Sequence, residues 1–504
     1  MNYTLEEARA YERRKISDIS AEERPGYHLT PACGWLNDPN GFSYYNGKYH
    51  LYYQYYPYAS HWDAMHWGHW SSFDLLHWTY EPAALAPDQT YETGVFSGSA
   101  ITDRDGTLLL IYTAHDERLC DDKTIDRCER QCIAKGDGYH FKKYGPVITE
   151  NDLPEEGDKR DFRDPKIWFE GGKYHAVIAL RDNKSGLGEI VLYESVDASH
   201  WKYQGVLLKN DGVYGRMWEC PDFFNLGEKH VLMISAMNVQ GKDQNLRNGF
   251  CVLAFLGEYD KQLKKFQVKA VQGLDLGFDC YAAQTLRMPD KRRIMIAWMQ
   301  APESGSLAPE GAKWFGMMTF PREIFFRDGK LCQRPIREIE ELYEDTVICK
   351  DVSASIDQQS GDLNKQWKYL EKVSDRVMDV SLHIQGEKHM TDFRIRCAQK
   401  EELYLELAYD SVRQILSVDR SCTNRSADLS SLRELYVAQD QEMNLRILLD
   451  EYSFEIFVND GEIVCSGTIY EMPRDAKGFC ICSAQNHISI VKHRLKRVEM
   501  QNNL

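Results

Sequence analysis

The sequence contains no apolar run that approaches the ~20 residues a membrane-spanning helix needs. It has no excess of positive charge: 61 Lys and Arg stand against 77 Asp and Glu, a formal net charge of -16. That balance argues against a nucleic-acid or anionic-membrane partner. Residues 1–25 carry Glu6, Glu7, Arg9, Glu12, Arg13, Arg14 and Lys15 with no apolar h-region, so they do not read as a secretory signal. A short amphipathic helical extension on the domain surface is expected there. Paired cysteine motifs are missing too. The 14 cysteines are scattered, and the tightest group, Cys120, Cys128 and Cys132, lacks CxxC spacing and a supporting His pattern. They read as reduced, structural thiols of a cytoplasmic protein rather than as disulfides or zinc ligands.

What is present is β-sheet material. A chain of 504 residues that is 43% apolar and 12% aromatic supports two or more packed domains. Five times between residues 26 and 334 a polar or aromatic entry is followed by a Gly, Asn or Asp turn, and an apolar strand leaves the turn. The entries are Asn37-Asp38-Pro39, Ser97-Gly98-Ser99, Arg163-Asp164-Pro165, Glu219-Cys220-Pro221 and Tyr281-Ala282-Ala283. The strand-like runs are Tyr49 to Tyr56, Leu108 to Ala114, Tyr174 to Leu180, His230 to Ala236 and Arg293 to Met299. Copies lie roughly 60 residues apart, which suits a four-stranded propeller blade with its loops. The text then changes. Ile336, Ile339 and Leu342 sit at helical spacing, which predicts a linker helix over 335–345. Beyond it, over 346–504, short alternating strands and the Asn459-Asp460-Gly461 turn predict an antiparallel β-sandwich.

Equivalent entries of successive blades face one axis, so Asp38, Asp164 and Glu219 are expected to converge. Each motif has a plainer explanation: Asp-Pro and Asn-Gly are turn dipeptides, Arg163-Asp164 suits a surface ion pair, and Glu219 suits a solvated loop. Their common phase in the repeat favours convergence over coincidence. Three carboxylates in an aromatic-lined pocket suit glycoside hydrolysis, in which one ionised carboxylate serves the anomeric carbon and one protonated carboxyl serves the leaving oxygen. Trp35, Trp62, Phe96, Trp218, Tyr281, Trp298 and Trp314 are candidate sugar platforms. Blade-to-blade packing is the alternative for any one of them.

These motifs, with Trp35 to Gly41, Phe96 to Ser99, Asp279 to Gln284, Trp314, Gly316, Pro321-Arg322-Glu323, Asp419-Arg420-Ser421 and Glu455 to Gly461, resemble glycoside hydrolase family 32. This is the invertase, sucrose-6-phosphate hydrolase and fructanase group, and the intracellular bacterial members are the most similar. The resemblance implies an all-β chain, a five-bladed β-propeller over 26–334 and a C-terminal β-sandwich. It also implies a retaining β-fructofuranosidase that acts on sucrose or sucrose 6-phosphate through a covalent fructosyl intermediate. In that reading Asp38 is the nucleophile, Glu219 the general acid/base and Asp164 the transition-state stabiliser. Trp35, Leu36, Asn37, Gln54, Trp62, Phe96, Ser97, Arg163, Asp279 and Trp298 contact substrate, with Gln284 in a supporting shell. No metal or organic cofactor is implied, and the partner is a small carbohydrate.

Two departures from the family pattern, Tyr56 before Pro57 and Cys280 after Asp279, are expected near the rim of the site. Other readings stay open: an exo-acting hydrolase of short fructans, a fructosyltransferase, an inverting arabinan-type glycosidase on the same architecture, and a non-catalytic sugar-binding propeller. A phosphorylated leaving group would need cations, for which His61, His66, His69 and Arg216 are the candidates.

Overall fold

The computed structural model describes every residue except 1–2, 241–245, 248, 305–307, 353–366, 424–429, 439 and 484. The described residues are all-β apart from one short α-helix and a few 3-10 turns. Residues 34–335 form five antiparallel sheets in chain order, each built on four strands. Their first strands are Gly34–Tyr45, Gly94–Thr102, Gly157–Glu170, Met217–Leu226 and Tyr281–Arg287. Each first strand touches the next, and the fifth touches the first, so the five close a ring.

Local chemistry explains the hairpins. Asn46 and Gly47 both adopt positive φ, at 48° and 80°, the geometry of a tight primed turn. Gly171 and Gly172, at 58° and 81°, do the same for the third sheet. The strands that leave these turns are covered on both faces. Tyr174 to Leu180 is buried along nearly its whole length, because neighbouring sheets pack against either side. The first sheet is extended at both edges. Trp314–Phe315 runs parallel to Gly34 and Trp35, and Gln501–Asn502 runs parallel to Thr79 and Tyr80.

The helix Leu5–Lys15 starts with a Thr4/Glu7 capping box and lies on the first sheet. Arg9 donates to the carbonyl of Ala83 at 2.9 Å, and Glu12 accepts from the Ala83 amide at 2.8 Å. The linker expected as a helix over 335–345 is shorter, a 3-10 turn over Arg337–Leu342. It anchors through buried Ile339 and Leu342 and passes directly into a strand, Tyr343–Cys349. Beyond it, two six-stranded sheets enclose one apolar core that includes Val380, Leu382, Ile395, Leu407, Leu445 and Ile481.

A buried charged network joins the two regions. Arg322, fully buried, donates to Glu455 at 2.7 Å and to Asp275 at 3.0 Å. His28 lies between Asp450 at 2.7 Å and Glu455 at 2.9 Å. Burial alone would lower the His28 pKa, but these two carboxylates raise it to about 9. Buried charges persist only when paired and hydrogen-bonded, so this network fixes how the regions meet.

Candidate active site

A β-bulge interrupts the first strand of every sheet at the same level of the ring. Register shifts fall between Leu36 and Pro39, Phe96 and Gly98, Arg163 and Lys166, Glu219 and Asp222, and Tyr281 and Gln284. A bulge re-aims side chains that strict alternation would send to opposite faces. It lets Asn37 and Asp38, or Arg163 and Asp164, both reach the pocket. The bulges hold strained backbone: φ is 66° at Asp164, 48° at Cys220 and 53° at Ala282. Buried struts brace them. Gln284 accepts from the Phe42 amide at 3.1 Å and donates to the Gly98 carbonyl at 2.8 Å, which joins the first, second and fifth sheets.

The bulges open onto a cavity of about 380 Å³ lined by both families of candidate, the carboxylates Asp38, Asp164 and Glu219 and the aromatics Trp35, Trp62, Phe96, Tyr281 and Trp298. Asn37, Gln54, Ser97 and Arg163 complete most of the wall, with Arg127 and Pro302. Asp38 accepts from the Ser97 hydroxyl at 2.7 Å and from the Asn37 amide at 3.1 Å. Asn37 is held in turn by the Trp35 indole at 2.8 Å. Asp164 accepts from the Cys220 backbone N–H at 2.9 Å. Glu219 is held from two sides. Arg163 Nε and Nη2 both donate to Oε1, at 3.1 and 3.0 Å, and the Tyr281 hydroxyl donates to Oε2 at 2.7 Å.

Crowding three carboxyl groups out of water has a definite electrostatic result. Burial raises the Asp38 pKa, the Ser97 bond pulls it back, and Glu219 adds repulsion. Asp164 is raised further by burial, with Glu219 and Asp38 opposing its ionisation against the pull of Arg163. Burial also holds the Cys220 thiol far above its ordinary range, as it does the Tyr281 phenol. Both remain neutral, so Tyr281 is a donor to Glu219, and Cys220, whose Sγ lies 3.5 Å from Asp38, is no thiolate nucleophile. The cluster can therefore hold carboxyl groups in different protonation states beside an aromatic wall.

Several expected residues lie elsewhere. Leu36 is fully buried in the apolar core, because it precedes the bulge and alternates away from Trp35 and Asn37. Asp279 is fully buried at the junction with the second region. There it accepts from Arg420, from the Thr468 amide at 2.9 Å and from the Ser304 hydroxyl at 3.0 Å. Trp218 packs in the core between the third and fourth sheets. Trp314 sits edge-on to Tyr452 at 5.6 Å, against the second region. Cys280 is buried in an apolar cluster, not at a rim, and Tyr56 lies outside the cavity lining, among Tyr3, Tyr58 and His61. His66 and His69 are buried, and burial lowers His66 to about 4 and His69 further, so they are neutral. His61 and Arg216 are exposed and outside the lining.

Three residues at the site were not anticipated. Arg127 and Pro302 line the cavity, and Glu129 behind Arg127 is fully buried. Burial would raise the Glu129 carboxyl, but Arg163, His115 and Arg127 bring it down to about 2. Arg127 and Glu129 lie on the strand Ile125–Gly136, where, with Gln131, they alternate with residues of the opposite face. That polar alternation is the one trace they leave in the sequence.

Known proteins are similar to this chain over most of its length. The profile described as "Glycosyl hydrolases family 32 N-terminal domain" matches residues 28–335, and "Glycosyl hydrolases family 32 C terminal" matches residues 338–497. The raffinose invertase of Escherichia coli is 38% identical over 452 residues, covering 88% of this chain and 89% of that protein. A sucrose-6-phosphate hydrolase of Escherichia coli is 34% identical over 476 residues, covering 93% of each. The solved structure of a Bombyx mori β-fructofuranosidase superposes with a TM-score of 0.81 at 32% identity, covering 98% of each chain. A variant of that silkworm protein was solved in complex with sucrose.

Proposed function

The chain belongs to glycosyl hydrolase family 32 and is a β-fructofuranosidase that hydrolyses sucrose-type substrates, and we propose that Asp38, Glu219 and Asp164 carry the reaction. The observation that carries the assignment is the meeting of these three carboxylates in one aromatic-lined cavity. Asp38, ionised and steadied by Ser97, attacks the anomeric carbon of the fructosyl unit. Glu219, held by Arg163 and Tyr281, gives its proton to the glycosidic oxygen as that bond breaks, and the other sugar leaves. A water then attacks the fructosyl ester of Asp38, Glu219 takes back the proton, and fructose departs with retained configuration. Asp164 and Arg163 hold fructosyl hydroxyls, and Trp35, Trp62, Phe96 and Trp298 supply the apolar wall for its C–H faces.

Residues 26–334 read as a five-bladed β-propeller and residues 346–504 as a β-sandwich. The closed ring of five first strands and the shared core of the two six-stranded sheets support this division. Fourteen free cysteines fit a reducing, cytoplasmic location.

The purified protein is expected to split a β-fructofuranoside and release β-fructofuranose first, seen by NMR before mutarotation. Asp38→Asn is expected to lose about four orders of magnitude in kcat. Initial release of the α-anomer, or near-normal turnover in the variant, removes Asp38 from the nucleophile's role.

A further inference from the structure

A chain of charged contacts leads outward from Glu219. Arg163 reaches back from Glu219 to Glu129 through Nη1 at 3.2 Å. Glu129 also accepts from the Phe162 amide at 2.9 Å and from Arg127 Nη2 at 2.6 Å. Glu219 stands at the glycosidic oxygen, so a cavity-lining group beyond it on this path stands on the side of the departing sugar. The two arginines differ in what they have left to give. Arg163 spends Nε and Nη2 on Glu219, and Nη1 on Glu129 and on Asp161 at 2.8 Å. Arg127 spends only Nη2. Its Nη1 has no acceptor among the described residues, and its side chain, one-third exposed, lines the cavity. A guanidinium edge that lines a cavity with a donor to spare can take an anion there.

The other side of the mouth has the opposite character. Beyond Trp62 and Phe96 the surface continues into a groove lined by Asp63, Asp88, Glu92 and Glu117. Asp88 and Glu92 are paired with Lys143, while Asp63 and Glu117 are exposed, able to repel an anion and to accept from sugar hydroxyls. A guanidinium with open donors on one rim and carboxylates on the other therefore orients a leaving sugar that carries negative charge.

We infer that Arg127 is the residue that selects the leaving group, binding the phosphate of a phosphorylated hexose attached to the fructosyl unit. This rests on the β-fructofuranosidase reading above. In sucrose 6-phosphate the phosphate sits on C6 of the glucosyl unit, and raffinose carries a neutral galactosyl group at the same carbon. The two substrates therefore ask the same part of the site opposite questions.

The test compares kcat/KM for sucrose 6-phosphate, sucrose and raffinose in the unaltered protein, Arg127→Gln and Arg127→Lys, with inhibition by glucose 6-phosphate and by glucose. The unaltered protein should prefer the phosphorylated substrate and bind glucose 6-phosphate more tightly than glucose. Arg127→Gln should cut the ratio of sucrose 6-phosphate to sucrose roughly 10- to 100-fold, the weight of one or two charge-assisted bonds, and weaken glucose 6-phosphate to match. Arg127→Lys, which keeps the charge without the fork, should fall between. Using the ratio cancels any disturbance passed through Glu129 to Glu219. Equal losses on both substrates, or a preference of the unaltered protein for raffinose, overturn the assignment while leaving the enzyme reading intact. No hydrolysis of any fructoside by the unaltered protein overturns both.

Discussion

The hydroxyl of Ser97 reaches from the second sheet to the first and donates to Oδ2 of Asp38 at 2.7 Å. The bond crosses between two bulges, so the charge state of Asp38 depends on how two sheets meet.

Ser97→Ala should therefore change a pH profile. The bond favours the ionised carboxylate, so its loss moves the Asp38 pKa further above the ordinary Asp value, in the same direction as burial. Attack needs the ionised form. The acidic limb of kcat/KM should shift to higher pH, and the plateau should fall roughly 10- to 100-fold, the worth of one hydrogen bond to a charged group. An unmoved limb with a lowered plateau would mean that Ser97 serves only to bind sugar.

Glu219→Gln keeps the shape of the residue and, through its one carbonyl oxygen, the bond from Arg163, while its NH2 can only donate to Tyr281, and it has no proton to give to a leaving oxygen. Turnover of sucrose, whose leaving group is poor, should fall about 10²- to 10⁴-fold. An aryl fructoside with a good leaving group should lose far less in its first step, and added azide should restore turnover by replacing the activated water. Equal losses on both substrates would assign Glu219 to binding.

Asp279 makes the contrary prediction, because it is buried outside the cavity lining. Asp279→Asn removes the carboxylate that pairs with the buried guanidinium of Arg420, a loss of about 3 kcal/mol. The midpoint of urea denaturation should drop, while KM and kcat of the folded variant change little. Normal stability with a large rise in KM would return Asp279 to the substrate site.

The fold was legible where the signal is local. Turn residues such as Asn46-Gly47 and the apolar runs behind them need only their neighbours in sequence to declare a hairpin. The phase of Asp38, Asp164 and Glu219 in the repeat could be counted along the chain, and the bulges turned that phase into convergence. The failures share one cause, which is that a residue's address in a motif does not give its direction. Leu36 lies inside the densest motif yet faces the core, because the bulge begins just after it. Asp279 stands in a motif that reads as part of the site, but it meets Arg420 of the second region across 141 positions. Arg127 and Glu129 act on the site from a third strand, outside the repeat's entries, and only packing of the second sheet against the third reveals them.

The first sheet, which carries Asp38, takes its outermost strand from Gln501–Asn502, and Asn503 reaches on to Glu81 at 3.2 Å. On a ribosome, the residues of the cavity are all present long before that strand is made. Until it arrives, Thr79 and Tyr80 offer an open β-edge that another nascent chain can pair with. A transcript that stops after Leu495 would thus encode every group that touches sugar and still yield a protein inclined to stick to its own copies.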